Sequence, residues 1–349
     1  MTSGWRSNAV AVGISLLVSL ITAEVVLRLL RLGYNNAPLN PSATRHHEHP
    51  ANYRFSAYSL KDEWEGFSIR TDRYGNRSMQ GLCRFPASGP SDHLLVLGDS
   101  FIEGFQVQDS DSITGRLQQA LCTTGTEVHN LGVSSYSPVL SDIQLREFLQ
   151  QHPRGLELLR GGTVLHVLYD NDHLGDQGYA SQLGRDDDGE LVVSADEQLT
   201  PLARLARISY LARLLRRAQL TAAELQQRPS DSAERGVDAP GAQTPPCRLP
   251  PQALEASSAA LRRIRDRVTA AGGRYVLSAI PTDPRKGPTV LACYQELAQR
   301  LGVPFIPVAE PLLSQPQRYY FTHDIHLNPA GHERVADRLL EDLKPESEQ

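Results

Sequence analysis

Leu94-Leu95-Val96-Leu97-Gly98-Asp99-Ser100-Phe101 is the stretch on which the reading of this chain turns. The apolar run from His93 to Leu97 is unbroken and stops at a glycine, as expected of a strand buried on both faces of a parallel sheet. An acid and a serine follow at the carboxyl end of that strand, where open α/β sheets place their ligand sites. Outward from it the pattern alternates. Helix periodicity covers 112–121, a second strand 127–131, a second helix 140–151 and a third strand 163–169. A helix over 253–271 precedes a fourth strand at 273–280, and a helix over 290–301 precedes a fifth at 303–308. A last helix runs from Pro329 to Leu343, with Asn328 as N-cap and Pro329 at its first position. The expected fold is α/β, a three-layer α/β/α sandwich around a mostly parallel sheet.

Composition narrows the functions. The 349 residues carry 35 Lys and Arg against 40 Asp and Glu, a net charge of -5, which argues against a broad basic surface for nucleic acid. From Ala9 to Val26 the chain is almost wholly apolar and about as long as a bilayer is thick. Residues 1–32 are therefore read as a single-pass anchor, with a cleaved secretory peptide ending near Ile21-Thr22-Ala23 as the alternative. Arg28 and Arg31 outnumber Arg6, so flanking charge does not fix the orientation.

Residues 33–91 read as a polar stalk and lead-in, and His46, His47 and His49 as solvated residues within it. The main domain is expected at 92–345, with an insertion at 174–251. That insertion holds an amphipathic helix at 201–227, whose leucine stripe is expected to pack on its own domain although such a helix can also lie on a membrane. A Pro- and Ser-rich disordered linker is expected at 228–251. Cys83, Cys122, Cys247 and Cys293 have no zinc-like spacing and permit either disulfides or buried thiols. No metal and no cofactor are expected.

Three further segments stand with Ser100 at strand ends. Asn130-Leu131-Gly132 follows the second strand, Asp170-Asn171-Asp172 the third, and Asp324-Ile325-His326 precedes the last helix. In this order the chain resembles the SGNH (GDSL-type) hydrolase family, over roughly 67–343 without the insertion. It is also similar to a membrane-anchored bacterial subgroup, in which a segment akin to Asp72-Arg73-Tyr74-Gly75-Asn76-Arg77 precedes the serine block. The resemblance implies a flavodoxin-like sheet and assigns Ser100 as nucleophile, His326 as base and Asp324 as the acid orienting it. Ser100, Gly132 and Asn171 would be the oxyanion donors.

The last block here is Asp-x-His where the family usually has Asp-x-x-His, and His323 stands at the usual Asp position. Asp99 is expected to support the turn, and His332 to be an ordinary helix residue. The implied activity is a serine esterase or deacetylase on acyl esters of a glycan or lipid. An O-acyltransferase using the same residues, or a non-catalytic glycan-binding protein, are the alternatives. The implied location is the bacterial inner membrane, with the catalytic domain in the periplasm.

Overall fold

The computed structural model describes residues 3–30, 39–57, 59, 63–64, 66–195, 200–206, 208–227 and 247–343. Five strands form the central sheet: β1 (Asp92–Gly98), β2 (Thr126–Gly132), β3 (Thr163–Tyr169), β4 (Arg274–Ile280) and β5 (Phe305–Pro307). Their order is β5-β4-β3-β1-β2, and every neighbouring pair is parallel. The apolar run of β1 is explained by cover on both sides. Leu95 and Leu97 pack with Leu145 and Phe148 of the helix Pro138–Gln151 and with Leu261 and Ile264 of the helix Glu255–Ala270. Leu94 and Val96 point the other way, onto Ile113 and Leu117 of the helix Ile113–Leu121 and Val335 and Leu339 of the helix Pro329–Leu343. Alternate residues of one strand thus build two cores, which makes the three layers.

The chain passes from β1 to β2 on one side and then returns to β3 on the other side of β1. The connections therefore diverge at the carboxyl ends of β1 and β3, the switch point at which such sheets open a crevice. Ser100 and Asn171 follow those two strands directly.

The lead-in is not a solvated stalk where it is described. Arg45, His47, His49 and Arg77 are all buried. His47 Nε2 lies 2.8 Å from the Ser134 carbonyl, and His49 Nε2 lies 3.0 Å from Glu103 Oε1. Arg45 pairs with Glu48 at 2.7 Å and with Glu147 at 3.0 Å. The segment is polar because its polar groups meet partners on the domain, which composition alone cannot distinguish from hydration.

The insertion also differs from its expected form. It begins with the helix Asp172–Ala180 and a hairpin, Leu183–Arg185 with Leu191–Val193. The single helix expected at 201–227 is two, Pro201–Leu205 and Tyr210–Gln227. Ser209 is the reason for the break, since its Oγ accepts from Ala212 N–H at 3.1 Å and starts a new helix. Part of the leucine stripe is uncovered: Leu205, Ile208 and Leu215 are 49%, 70% and 56% exposed, whereas Leu202 and Leu211 are half-buried. Of the expected linker, 228–246 lies outside the described residues, while Cys247 and Leu249 pack on the main core. The helix Ser3–Leu29 includes a span, Asn8–Leu29, long and apolar enough to cross a membrane.

The four cysteines form two disulfides, Cys83–Cys122 and Cys247–Cys293. The second closes a loop of 46 residues, so the double change Cys247→Ser, Cys293→Ser should lower stability by about 2–4 kcal/mol through the freer unfolded chain. Denaturant midpoints of the detergent-solubilised protein would read this. Unchanged midpoints would mean that the loop is already constrained in the unfolded state.

Candidate active site

Gly98 ends β1 because nothing larger fits: a Cβ there would lie 2.6 Å from Ile102 Cγ1 and 2.9 Å from the Val167 carbonyl. Asp99 then caps the short helix Ser100–Glu103, its Oδ1 accepting from Phe101 N–H at 2.9 Å. Burial raises the Asp99 carboxyl to about 6 against the pull of that N–H. Ser100 is the first residue of the helix, so no carbonyl within it can reach the Ser100 N–H.

The last block comes to the same place. Ser100 Oγ lies 2.7 Å from His326 Nε2, and His326 Nδ1 lies 2.5 Å from Asp324 Oδ1. A carboxylate only accepts, so Nδ1 carries the proton and Nε2 is left to accept from the serine hydroxyl. The same Asp324 oxygen accepts from the His326 N–H at 3.0 Å. This turn is why a spacing of one residue suffices: the carboxylate folds back over two residues and reaches backbone and ring together. Burial alone would raise the Asp324 carboxyl, but hydrogen bonding to His326 outweighs it and holds the group below its ordinary range. Since the folded value is depressed, the stability it contributes is present above about pH 4 and is lost as the pH falls further. The rings of Phe101 and Phe105 lie 4.9 and 6.1 Å from that of His326. His323, the other histidine of the block, is exposed.

The two remaining positions behave differently from each other. Asn171 is exposed at the end of β3, and its side-chain amide makes no hydrogen bond to the described residues. Beneath it Asp172 is buried and accepts from Tyr169 N–H at 3.1 Å; burial and the charge of Asp99 hold its carboxyl well above the usual range. Gly132 does not offer the free donor expected of it. Its N–H is taken up by Asn130 Oδ1 at 2.9 Å, and a Cβ there would lie 2.4 Å from the Glu103 nitrogen. The glycine is needed for close packing under the serine helix.

Side chains outside the four blocks hold the site. Arg77 donates to the carbonyls of Glu103, Gly104 and Val107 and to Asp109 Oδ1, fixing the loop after the serine helix. The Asp72 to Arg77 segment pointed to it; Asp72 Oδ1 shapes its turn by accepting from Tyr74 and Asn76 N–H at 2.8 and 2.9 Å. His332 lies in the last helix and is buried, and its Nδ1 accepts from Ile113 N–H at 3.3 Å. No sequence signal pointed to Glu63. Its carboxylate accepts from the backbone N–H groups of Thr322, His323 and Asp324 at 2.5, 2.9 and 2.9 Å. On the other side of that loop Lys286 Nζ donates to the Asp324 carbonyl. Glu63→Ala should therefore lower kcat by about 10²-fold through misplacement of Asp324 and His326, with KM little changed. A Michaelis analysis showing kcat within about threefold of wild type would mean that the loop holds itself.

Toward the amino ends of β1 and β2, away from the site, His93 Nδ1, His129 Nε2 and Glu127 Oε2 lie 3.2, 3.5 and 3.6 Å apart. They are the one group among the described residues close enough to share a cation. Arg154 Nη1, 2.7 Å from His93 Nε2, can only donate, so the His93 proton sits on Nδ1 and faces the other two. A metal would have to displace that proton next to a guanidinium charge, and metal-bound histidines normally face a carboxylate or carbonyl there instead.

Comparison with known proteins bears on the whole domain. Similar solved structures include a lipolytic protein of the G-D-S-L family from Veillonella parvula, 12% identical, covering 72% of this chain and 98% of its own, with a TM-score of 0.38. TesA is 15% identical, with 73% and 99% covered and a TM-score of 0.40. The psychrotrophic esterase EstA from Pseudoalteromonas sp. is 12% identical, with 72% and 96% covered and a TM-score of 0.40. No curated protein matches the chain. The model of the GDSL-like lipase/acylhydrolase family matches residues 96–334, from within β1 to the last helix. This chain belongs to that family of hydrolases.

Proposed function

We propose that the protein is a serine esterase or deacetylase acting on acyl esters, held by its N-terminal helix at a membrane with the catalytic domain outside the cytoplasm. The observation that carries the chemistry is the continuous link from Ser100 Oγ through both ring nitrogens of His326 to Asp324. Ser100 attacks the ester carbonyl as His326 Nε2 takes the hydroxyl proton, and the ionised Asp324 stabilises the imidazolium. The Ser100 N–H and the Asn171 amide donate to the oxyanion. His326 returns the proton to the departing alcohol, leaving the acyl group on Ser100. A water molecule, deprotonated by His326, then attacks the acyl carbonyl, and Ser100 leaves with the proton. Two disulfides support an oxidising compartment, and the exposed apolar helix supports the anchor.

Products identify the reaction. The detergent-solubilised protein, incubated with p-nitrophenyl acetate with and without sugar oligomers, should release free acetate in both cases by mass spectrometry. Acetyl groups recovered on the sugar in place of free acid would make the protein an acyltransferase.

A further inference from the structure

We infer that the helix Tyr210–Gln227 and the segment before it form a second membrane contact, a lipid-facing surface clamped to the N-terminal helix by Glu24. The inference rests on the reading of that N-terminal helix as an anchor. Glu24 Oε1 accepts from Tyr210 N–H, and Oε2 from Leu211 N–H, both at 3.0 Å; Oε2 also accepts from Ser209 Oγ at 2.8 Å. Arg28 pairs with Glu24 at 2.7 Å and also donates to the Ile208 carbonyl. The carboxylate is thus neutralised by a cation and by the orphan N–H groups that begin the helix, which is how an acid tolerates the edge of a bilayer.

Position and cover identify the occupant. The span Asn8–Leu29 has 22 residues, about 33 Å of helix, so Arg28 stands at the boundary of an approximately 30 Å hydrocarbon layer and Glu24 about one turn inside it. Leu205, Ile208 and Leu215 are exposed, and Val25, Val26 and Leu29 of the N-terminal helix are exposed beside the clamp at 48%, 43% and 77%. The apolar surface of the span therefore continues onto the insertion. Exposed Arg204 and the half-buried ring of Tyr210 suit a surface of anionic lipid headgroups.

The test uses the full-length chain reconstituted into phosphatidylcholine vesicles containing phosphatidylglycerol. Ile208→Cys, Leu215→Cys and, as a control on the distant surface, Leu156→Cys each carry an environment-sensitive fluorophore. Acyl-chain nitroxide lipids should quench the labels at 208 and 215, while iodide on both sides of the bilayer should quench only the label at 156. Quenching of 208 and 215 by iodide alone would overturn the proposal. Protection from both quenchers would also overturn it, by showing that protein covers the face. Flotation of the same samples separates the two readings: vesicles that float without the chain contradict the anchor itself, whereas co-flotation with iodide quenching contradicts only the second contact. Glu24→Ala should leave flotation unchanged and reduce nitroxide quenching at 208 at least severalfold. Unchanged quenching would overturn the clamp.

Discussion

Ser100→Ala should lower kcat for acyl-ester hydrolysis by about 10⁶-fold, roughly 8 kcal/mol of transition-state stabilisation, while leaving the fold intact. The size follows from the geometry. In the proposed mechanism Ser100, whose hydroxyl lies 2.7 Å from His326 Nε2, supplies the attacking oxygen and the proton that the base removes. Without it, on that mechanism, His326 and Asp324 have nothing to activate except water. The residue is half-buried at the start of a short helix, so removing one oxygen disturbs little packing. Steady-state hydrolysis, with circular dichroism as the control for folding, checks this. A variant retaining more than about a hundredth of the wild-type kcat would mean that another group attacks the carbonyl.

Asp324→Asn should be the next largest effect, lowering kcat by about 10⁴-fold. Asp324 Oδ1 accepts from both the His326 ring and the His326 N–H, and this fixes the proton on Nδ1. An amide can turn its NH₂ toward the ring, which moves the proton to Nε2 and points it at Ser100. The serine then faces a donor instead of a base. The negative charge that stabilises the imidazolium is lost as well. His323→Ala should change kcat little, because His323 is exposed and only its backbone N–H is engaged, by Glu63. Activity in Asp324→Asn together with inactivity in His323→Ala would contradict the Asp-x-His reading.

The layers and the serine block were legible for a physical reason. A strand covered by helices on both faces is largely apolar, and the run Leu94 to Leu97 of β1 announces itself that way, while β3 and β4 each bury one polar residue, His166 and Ser278, among apolar ones. That Ser100, His326 and Asp324 would meet was legible only through the resemblance of the blocks that carry them, since a Gly-Asp-Ser turn taken alone reads equally as a capped strand-to-helix turn. Gly132 misled, because a glycine at a strand end fits close packing as well as a donor to substrate. The lead-in misled in the opposite direction. His49 is polar in sequence yet pairs with Glu103 inside the domain, and a polar run reads the same whether water or protein satisfies it. Glu63 was invisible for a related reason. It lies among Lys61, Asp62 and Glu65, which reads as a charged, hydrated stretch, and its partners are backbone groups 259 to 261 residues away. The break at Ser209 passed unnoticed because the apolar periodicity continues through it.

The central claim is that His326 activates Ser100 for attack, and a fluorophosphonate probe reads it most directly. Peptide mapping of the labelled wild-type protein should place a single adduct on the peptide containing Ser100. The folded Ser100→Ala variant should carry none, and His326→Ala should label at least a hundredfold more slowly. An adduct on any other residue, or equal labelling rates with and without His326, would contradict the account.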